Sequence, residues 1–427
     1  MLDLKFIRDN LETVKKGLKK RRFSDLSLVD KALSLDEDRK KLLLEVEKLR
    51  SERNQVAKEG KASKEGKRLK EELAEKEPRL SKIERELKET LYGIPNLPEK
   101  DVPEGPEENK KILRKEGEPT KFNFSPKDHL ALGVNLGIIN VEQASKVAGS
   151  RFAYLKGDGV LLELALVNFA FKKLIEEGFN PVFPPMLIKK EITDKLGYWH
   201  GGGNENYYFV RDYEKNGEGK EERELDLYLV GTGEHSVVPM HAGETLAGQD
   251  LPKKYAAFSS CFRRESGSYG KDTRGILRVH QFDKIEMVEL VKPDDDEKEH
   301  EKLLKIAEGM MRDLGLPYQV VVLAAGDLGF PTAKTYDIET WLPGEGRYRE
   351  THSISTTTDY QARRLDIKYK DGDKSAYVHI LNGTAFAIGR TIIAILENYQ
   401  QEDGSVKVPG VLVPYVGKEV ILPAKRS

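Results

Sequence analysis

Three stretches carry residues that could grip a polyanion. In CFRRESGSYGKDTRGILRVHQFDKIE, residues 261–286, Arg263, Arg264 and Glu265 follow an apolar run and precede a turn rich in glycine and serine. A guanidinium held at a strand end offers a phosphate two parallel donors, a grip that lysine lacks. The glycines allow the returning segment to close over a ligand. In LNGTAFAIGRTIIAILENYQ, residues 381–400, a strand passes through small residues into a helix whose first turn carries Gly389 and Arg390. A helix N-terminus favours negative charge, and Arg390 adds a full positive charge there. The third stretch, GFNPVFPPMLIKKE at 178–191, reads as a turn into a strand ending at Pro184-Pro185. Prolines suit a strand end or edge, because they donate nothing to a ladder. No GxxxxGK[ST] loop, no GxGxxG after a strand, no HExxH and no CxxC occurs. A nucleotide, if bound, is held by another device.

The elements that must position these residues follow from apolar patterning. Helical stretches at 161–177, 297–314 and 391–399 are separated by β-rich ones at 207–210, 225–230, 255–262, 277–291, 318–323, 335–341 and 375–381. Several strands adjoin through short loops with no helix between, which predicts an α+β domain built on an antiparallel β-sheet flanked by helices. Residues 28–92 have another rhythm. Leu28, Leu35, Leu42, Leu49 and Val56 recur every seven residues, and Leu73, Leu80 and Leu87 repeat after a glycine-bearing break. This predicts an antiparallel α-helical coiled-coil hairpin, reaching roughly 45 Å at 1.5 Å per residue. Pro78, inside the second helix, predicts a kink.

Such a hairpin is most often a dimerisation rod or spacer, but its tip is basic: Lys58, Lys61, Lys64, Lys67, Arg68 and Lys70. A basic tip is suited to phosphates. Residues 1–27 read as a short helical cap, and the proline-bearing 95–126 as a linker. The expected domains are therefore 1–94 with the arm at about 28–92, a linker at 95–126, and an α+β domain at 127–427.

Bulk properties narrow the function. The chain has 427 residues, 71 basic and 72 acidic. A uniformly basic sheath is excluded, so nucleic-acid contact is confined to a patch. One cysteine, Cys261, allows no internal disulfide and no multi-thiolate zinc cage, and is expected to be buried and inert. No long apolar run or signal-like N-terminus occurs, so a cytoplasmic protein with no membrane partner is expected.

Together these motifs resemble the bacterial-type seryl-tRNA synthetases, a class II aminoacyl-tRNA synthetase family. The resemblance spans nearly the whole chain: the arm, IPNLP, SRFAYLKGDGVLLELAL, TGE, FRRE, HQFDKIE, ETHSISTTTDYQARR, LNGTAFAIGRT and ENYQ. It implies that 127–427 is the class II catalytic domain. It further implies activation of L-serine by ATP to seryl-adenylate, then transfer to the 3′ end of tRNA(Ser), with tRNA(Sec) as a second acceptor and a homodimer as the working form. By resemblance, Arg263 and Arg390 are the catalytic cations, on the α- and γ-phosphates of a bent ATP. Arg264, Glu265, Val279, Glu350, Thr351, His352 and Ser353 are the further ATP-binding positions, with Glu350 and Ser353 also holding Mg²⁺. Thr232, Gly233, Glu234, Glu286, Asn382 and Thr384 are the serine positions. Lys58, Lys61, Lys64, Lys67, Arg68 and Lys70 are the tRNA contacts.

Taken alone, Thr384 could simply pack and Asn382 could cap a turn. His235, His241, His280 and His352 cluster in sequence, yet with no cysteine partners and no His-x₃-His helix spacing, zinc is not expected. His280 reads as a hydrogen-bonded strand residue. TGEHSVV, His352 and Arg264 depart from the commonest family pattern at positions expected to present backbone. Relatives that load a carrier protein lack the long arm. A non-catalytic relic would be expected to lack Arg263, Glu265 or Arg390, and this chain has all three.

Overall fold

The computed structural model describes residues 1–58, 64–198, 205–215, 222–266, 272 and 274–425. The chain divides into two compact units, Met1–Leu97 and Pro98–Ser427.

In the first unit, α1 (Leu4–Asp9) and α2 (Leu11–Lys20) precede the long pair α3 (Ser27–Lys58) and α4 (Lys64–Tyr92). Leu42, Val46 and Leu49 of α3 are buried against Leu69, Leu73 and Leu80 of α4, the seam that the heptads anticipate. Each such side chain contributes about 1.5–3 kcal/mol on burial. At the base the register differs from the sequence reading: Leu28 and Leu35 are half-buried, whereas Val29, Ala32 and Asp36 are buried. Here α3 also meets α1, and Asp36 is held by Arg8, Arg39 and Lys40. Burial pushes the Asp36 carboxyl up, but Lys40 and Arg39 outweigh it and leave it below the usual range. α4 continues through Pro78 without a break.

The second unit is organised on an eight-stranded sheet. In chain order its strands are β1 (Lys111–Glu116), β2 (Asn180–Val182), β3 (Lys253–Phe262), β4 (Gln281–Val291), β5 (Tyr318–Val322), β6 (Lys334–Leu342), β7 (Arg347–Thr356) and β8 (His379–Ala387). Their spatial order is β1-β5-β6-β7-β8-β4-β3-β2, antiparallel throughout except for the parallel edge pair β2–β3. The helices that matter for the site are α5 (His129–Asn135), α6 (Asp158–Glu176), α7 (Asp296–Asp313) and α8 (Ile388–Asn398). Among the described residues, no helix is long and apolar enough to cross a membrane.

Period-2 alternation sorts the sheet into two faces. Ile285, Met287, Tyr336, Ile338, Ile354, Leu381 and Phe386 belong to one large core shared with α6, α7 and α8. The intervening residues Lys284, Glu286, Thr335, Asp337, Ser353, Ser355, Asn382 and Thr384 line a cavity instead. Two bulges, at Ile338/Glu339 and Ile285/Glu286, shift the register on that face.

The stretch read as a linker is not free beyond Pro98. Val102 is buried with Ala325 and Leu328, and Lys334 pairs with Glu99 and Asp101. β1 forms a sheet edge, with Arg114 bidentate on Glu308 at 2.9 and 2.5 Å. An exposed edge strand needs little apolar character, so its charged sequence hid it. The strand expected from 277 begins only at Gln281, because residues 277–279 turn into the cavity wall. β7 was missed as a strand altogether.

Candidate active site

Arg263 and Arg390 line the same cavity, of about 390 Å³, together with Thr232, Glu234, Glu265, Val279, Glu286, Glu350, Thr351, Ser353, Asn382 and Thr384. Residues far apart in the chain converge there because β3, β4, β8 and β7 are neighbours in the sheet.

Arg263 follows the last residue of β3. His280 fixes its peptide on both sides: the Arg263 N–H donates to the His280 carbonyl at 2.9 Å, and His280 Nδ1–H donates to the Arg263 carbonyl at 2.9 Å. Its Nε donates to Gly231 O at 3.1 Å and its guanidinium lies over the Phe282 ring, 5.4 Å from the centroid. Such anchoring removes most of the rotamer entropy that an arginine would otherwise lose on gripping a ligand. His280 is hydrogen-bonded as expected, although it precedes the strand rather than lying in it.

Arg390 sits in the first turn of α8, where Nη1 reaches Glu350 Oε1 at 2.9 Å and Glu350 O at 3.0 Å. Burial pushes the Glu350 carboxyl up, but Arg390 and Arg263 together hold it below the ordinary value. One carboxylate thus feels both arginines. Glu265, at φ +51°, is paired with Arg278.

A second group of residues is built to receive a small polar molecule. Glu234 is buried, accepts from Tyr198 Oη at 2.9 and 3.0 Å and from Gln361 Nε2 at 2.8 Å, and neighbours Glu286. Burial, with Glu286 adding, pushes its carboxyl up to about 7 despite the hydrogen bonds from Gln361 and Tyr198. Glu286 is paired with Lys284. Thr232 Oγ1 and Asn382 Nδ2 are buried with no hydrogen-bond partner. An orphaned buried polar atom costs about 1–3 kcal/mol, so two in one cavity point to a ligand that satisfies them.

Three expected contacts lie outside the lining. His352 faces the core: β7 alternation turns it away from Ser353, and its Nε2–H donates to Ala385 O at 2.9 Å beside the Phe386 ring. Burial holds its imidazole down to about 4, so it is neutral. Arg264 sends its N–H to Asn206 O at 2.8 Å. Gly233 packs so closely under β3 that a Cβ would come 2.9 Å from that of Ala257. Thr351 lines the cavity, but its hydroxyl is engaged with Thr340 Oγ1 at 2.7 Å.

His235 lies between Tyr198 and Tyr207, accepts from Gly231 N at 3.3 Å, and is held neutral by burial, which with Arg263 lowers it to about 3. His241 is bonded to Glu244 and Tyr255. Cys261 is buried, and burial raises its thiol. Among the described residues, no group of three or more His, Cys, Asp or Glu side chains is arranged to hold a metal.

Tyr198, Gln361, Lys284, Arg278 and Asp337 were missed in sequence as site residues. Lys284 and Gln361 lie inside HQFDKIE and DYQARR, so the motifs held a signal. Tyr198 and Asp337 had none, since only the fold brings them near.

In the first unit, Lys58, Lys64, Lys67, Arg68 and Lys70 are exposed near the end of the hairpin, with Arg68 paired to Glu65 at 2.8 Å. Lys61 lies outside the described residues.

Residues 1–98 match the family model "Seryl-tRNA synthetase N-terminal domain", and residues 214–399 match "tRNA synthetase class II core domain (G, H, P, S and T)". The serine–tRNA ligase of Thermodesulfovibrio yellowstonii is 44% identical, covering 99% of this chain and 100% of that protein. That of Geobacillus kaustophilus is 43% identical over the same shares. The crystal structure of seryl-tRNA synthetase from Pyrococcus horikoshii complexed with ATP superposes with a TM-score of 0.90 at 38% identity, covering 100% of both chains. With these likenesses over its full length and both family models matched, the chain belongs to the seryl-tRNA synthetase family.

Proposed function

We propose that the protein is a serine–tRNA ligase that activates L-serine with ATP and transfers the seryl group to the 3′ end of tRNA(Ser), with tRNA(Sec) as a further acceptor. The observation that carries this reading is the pair of orphaned atoms, Thr232 Oγ1 and Asn382 Nδ2, in one cavity with Glu234, Glu286, Arg263 and Arg390. Glu234 and Glu286 receive the ammonium group. Thr232, Asn382 and Thr384 meet the hydroxyl and carboxylate. A site whose polar groups need a hydroxyl rejects alanine, which would leave them unpaired.

In the first step an oxygen of the serine carboxylate, already ionised, attacks the α-phosphorus. The new bond forms as the α–β bridging P–O bond breaks, giving seryl-adenylate and pyrophosphate with no proton moved. Arg263 neutralises the α-phosphate as charge builds there, and Arg390 takes the γ-phosphate, sharing its guanidinium with Glu350. Glu265 and Val279 border the adenine. In the second step a ribose hydroxyl at the tRNA 3′ end attacks the acyl carbon, the C–O bond to the phosphate breaks, and AMP leaves as the hydroxyl proton passes by way of its phosphate to solvent.

Magnesium fits this site. Asp337 Oδ1 is buried without a hydrogen-bond partner on the strand register that pairs Asp337 with Ser353, and Glu350 lies on the same face. Glu350 and Ser353 would hold the ion, with Asp337 adding charge behind them. Mg²⁺ binds through few protein oxygens plus phosphates, and it offsets clustered phosphate charge.

The basic hairpin end holds the tRNA body. The working form is a homodimer in the cytoplasm, its contact supplied by Leu161 and Leu164 of α6 and by Phe183, all exposed. Serine-dependent ATP–pyrophosphate exchange tests the activation step. Exchange with serine and not with alanine is expected; equal exchange with both, or none, refutes it.

A further inference from the structure

We propose that His129, oriented by Glu397, is a positioning residue for the nucleotide half of the cavity, acting through the backbone of Ile276. This rests on the reading of that half as the ATP site. Neither side chain touches the cavity.

Glu397 is fully buried near the end of α8. Its Oε2 accepts from Gly344 N at 2.8 Å, and its Oε1 accepts from His129 N at 2.9 Å and from His129 Nδ1 at 3.3 Å. A carboxylate at Nδ1 draws the ring proton there and leaves Nε2 a bare acceptor. That nitrogen faces the Ile276 N–H at 3.3 Å.

Ile276 begins the strip 276–279, all four residues of which line the cavity. The strip is held a second time by the same helix: Arg390 Nε donates to Leu277 O at 3.4 Å. α8 thus grips two successive residues of the wall, Leu277 directly from its first turn and Ile276 through His129 from its last. Beyond them, Arg278 pairs with Glu265 and Val279 lines the cavity. The approach is close: Gly275 has φ +74°, and a Cβ there would lie 2.0 Å from His129 Nε2. The wall was shaped around this nitrogen.

The test uses full-length protein and two variants. His129→Leu removes the acceptor; His129→Gln restores an acceptor oxygen within reach. Serine-dependent pyrophosphate exchange gives KM for ATP and for serine separately. Hydrogen–deuterium exchange reports the Ile276 amide, and thermal melting reports the fold. In His129→Leu we expect KM for ATP to rise about tenfold, the equivalent of one buried hydrogen bond, with KM for serine within about twofold. Exchange at Ile276 should speed up while the melting temperature falls by no more than a few degrees, the cost of the orphaned buried groups, and His129→Gln should recover the ATP KM and the Ile276 exchange. Unchanged ATP KM and Ile276 exchange in His129→Leu, equal rises in both KM values, or a His129→Gln variant no better than His129→Leu would overturn the proposal. If wild type shows no serine-dependent exchange, the functional reading fails, and the deuterium exchange of Ile276 still decides whether His129 pins it.

Discussion

In the proposed function Glu234 receives the ammonium group of serine, which makes binding a matter of proton chemistry. Its carboxyl, raised to about 7 chiefly by burial, is partly protonated in the free protein at neutral pH, whereas an ammonium ligand needs it ionised. Below pH 7, then, binding must first release a proton, and KM for serine should climb by about tenfold per pH unit, with no such climb above it. Exchange kinetics between pH 5.5 and 8.5 measure this; a flat serine KM would contradict it. Thr232 gives a sharper signature. Thr232→Val keeps the shape and removes the orphaned hydroxyl, relieving about 1–3 kcal/mol in the empty protein. The melting temperature should rise by a few degrees while KM for serine increases about tenfold or more. A variant that loses stability, or that keeps its serine KM, would show that the hydroxyl has another partner. His352 shows where residue-level reading stops. Its place in ETHS marked it for the nucleotide, but one step of β alternation turns it into the core, and only the sheet register reveals that.

At the scale of elements, the arm was legible because a seven-residue apolar repeat has one economical solution, a hairpin with a buried seam. Its base was not, because α1 adds a third helix and a buried Asp36 that no heptad announces. The sheet was legible in its alternating strands, while β1 and β7 escaped: one is an exposed charged edge, and the other carries site residues in place of apolar ones. Most of the foreseen site residues line the cavity, though less than half of its lining was foreseen, and motif resemblance marked them, since periodicity says nothing about which strands become neighbours. Deleting 35–88 should leave serine-dependent exchange within about twofold of wild type, because the cavity lies wholly within the second unit. Charging of tRNA(Ser) should fall below detection. Retained charging would remove the arm from tRNA recognition.

For the molecule as a whole, near-balanced charge leaves association to local surfaces. Leu161 and Leu164 project from α6, and Phe183 is 72% exposed, an unusual cost for a monomer to carry. Sedimentation should give twice the chain mass of 48.3 kDa, and Leu164→Glu should shift it to the single mass at micromolar concentration. A wild-type monomer would refute the dimer.

In the proposed function two anchored guanidinium groups, in place of a glycine cradle and lysine, stabilise the transfer of an adenylyl group to serine. Arg263→Lys tests it most directly, because it keeps the charge and removes the fork. Serine-dependent ATP–pyrophosphate exchange should fall by about 10²- to 10³-fold in kcat, with the fold intact. A rate within about threefold of wild type would contradict the account.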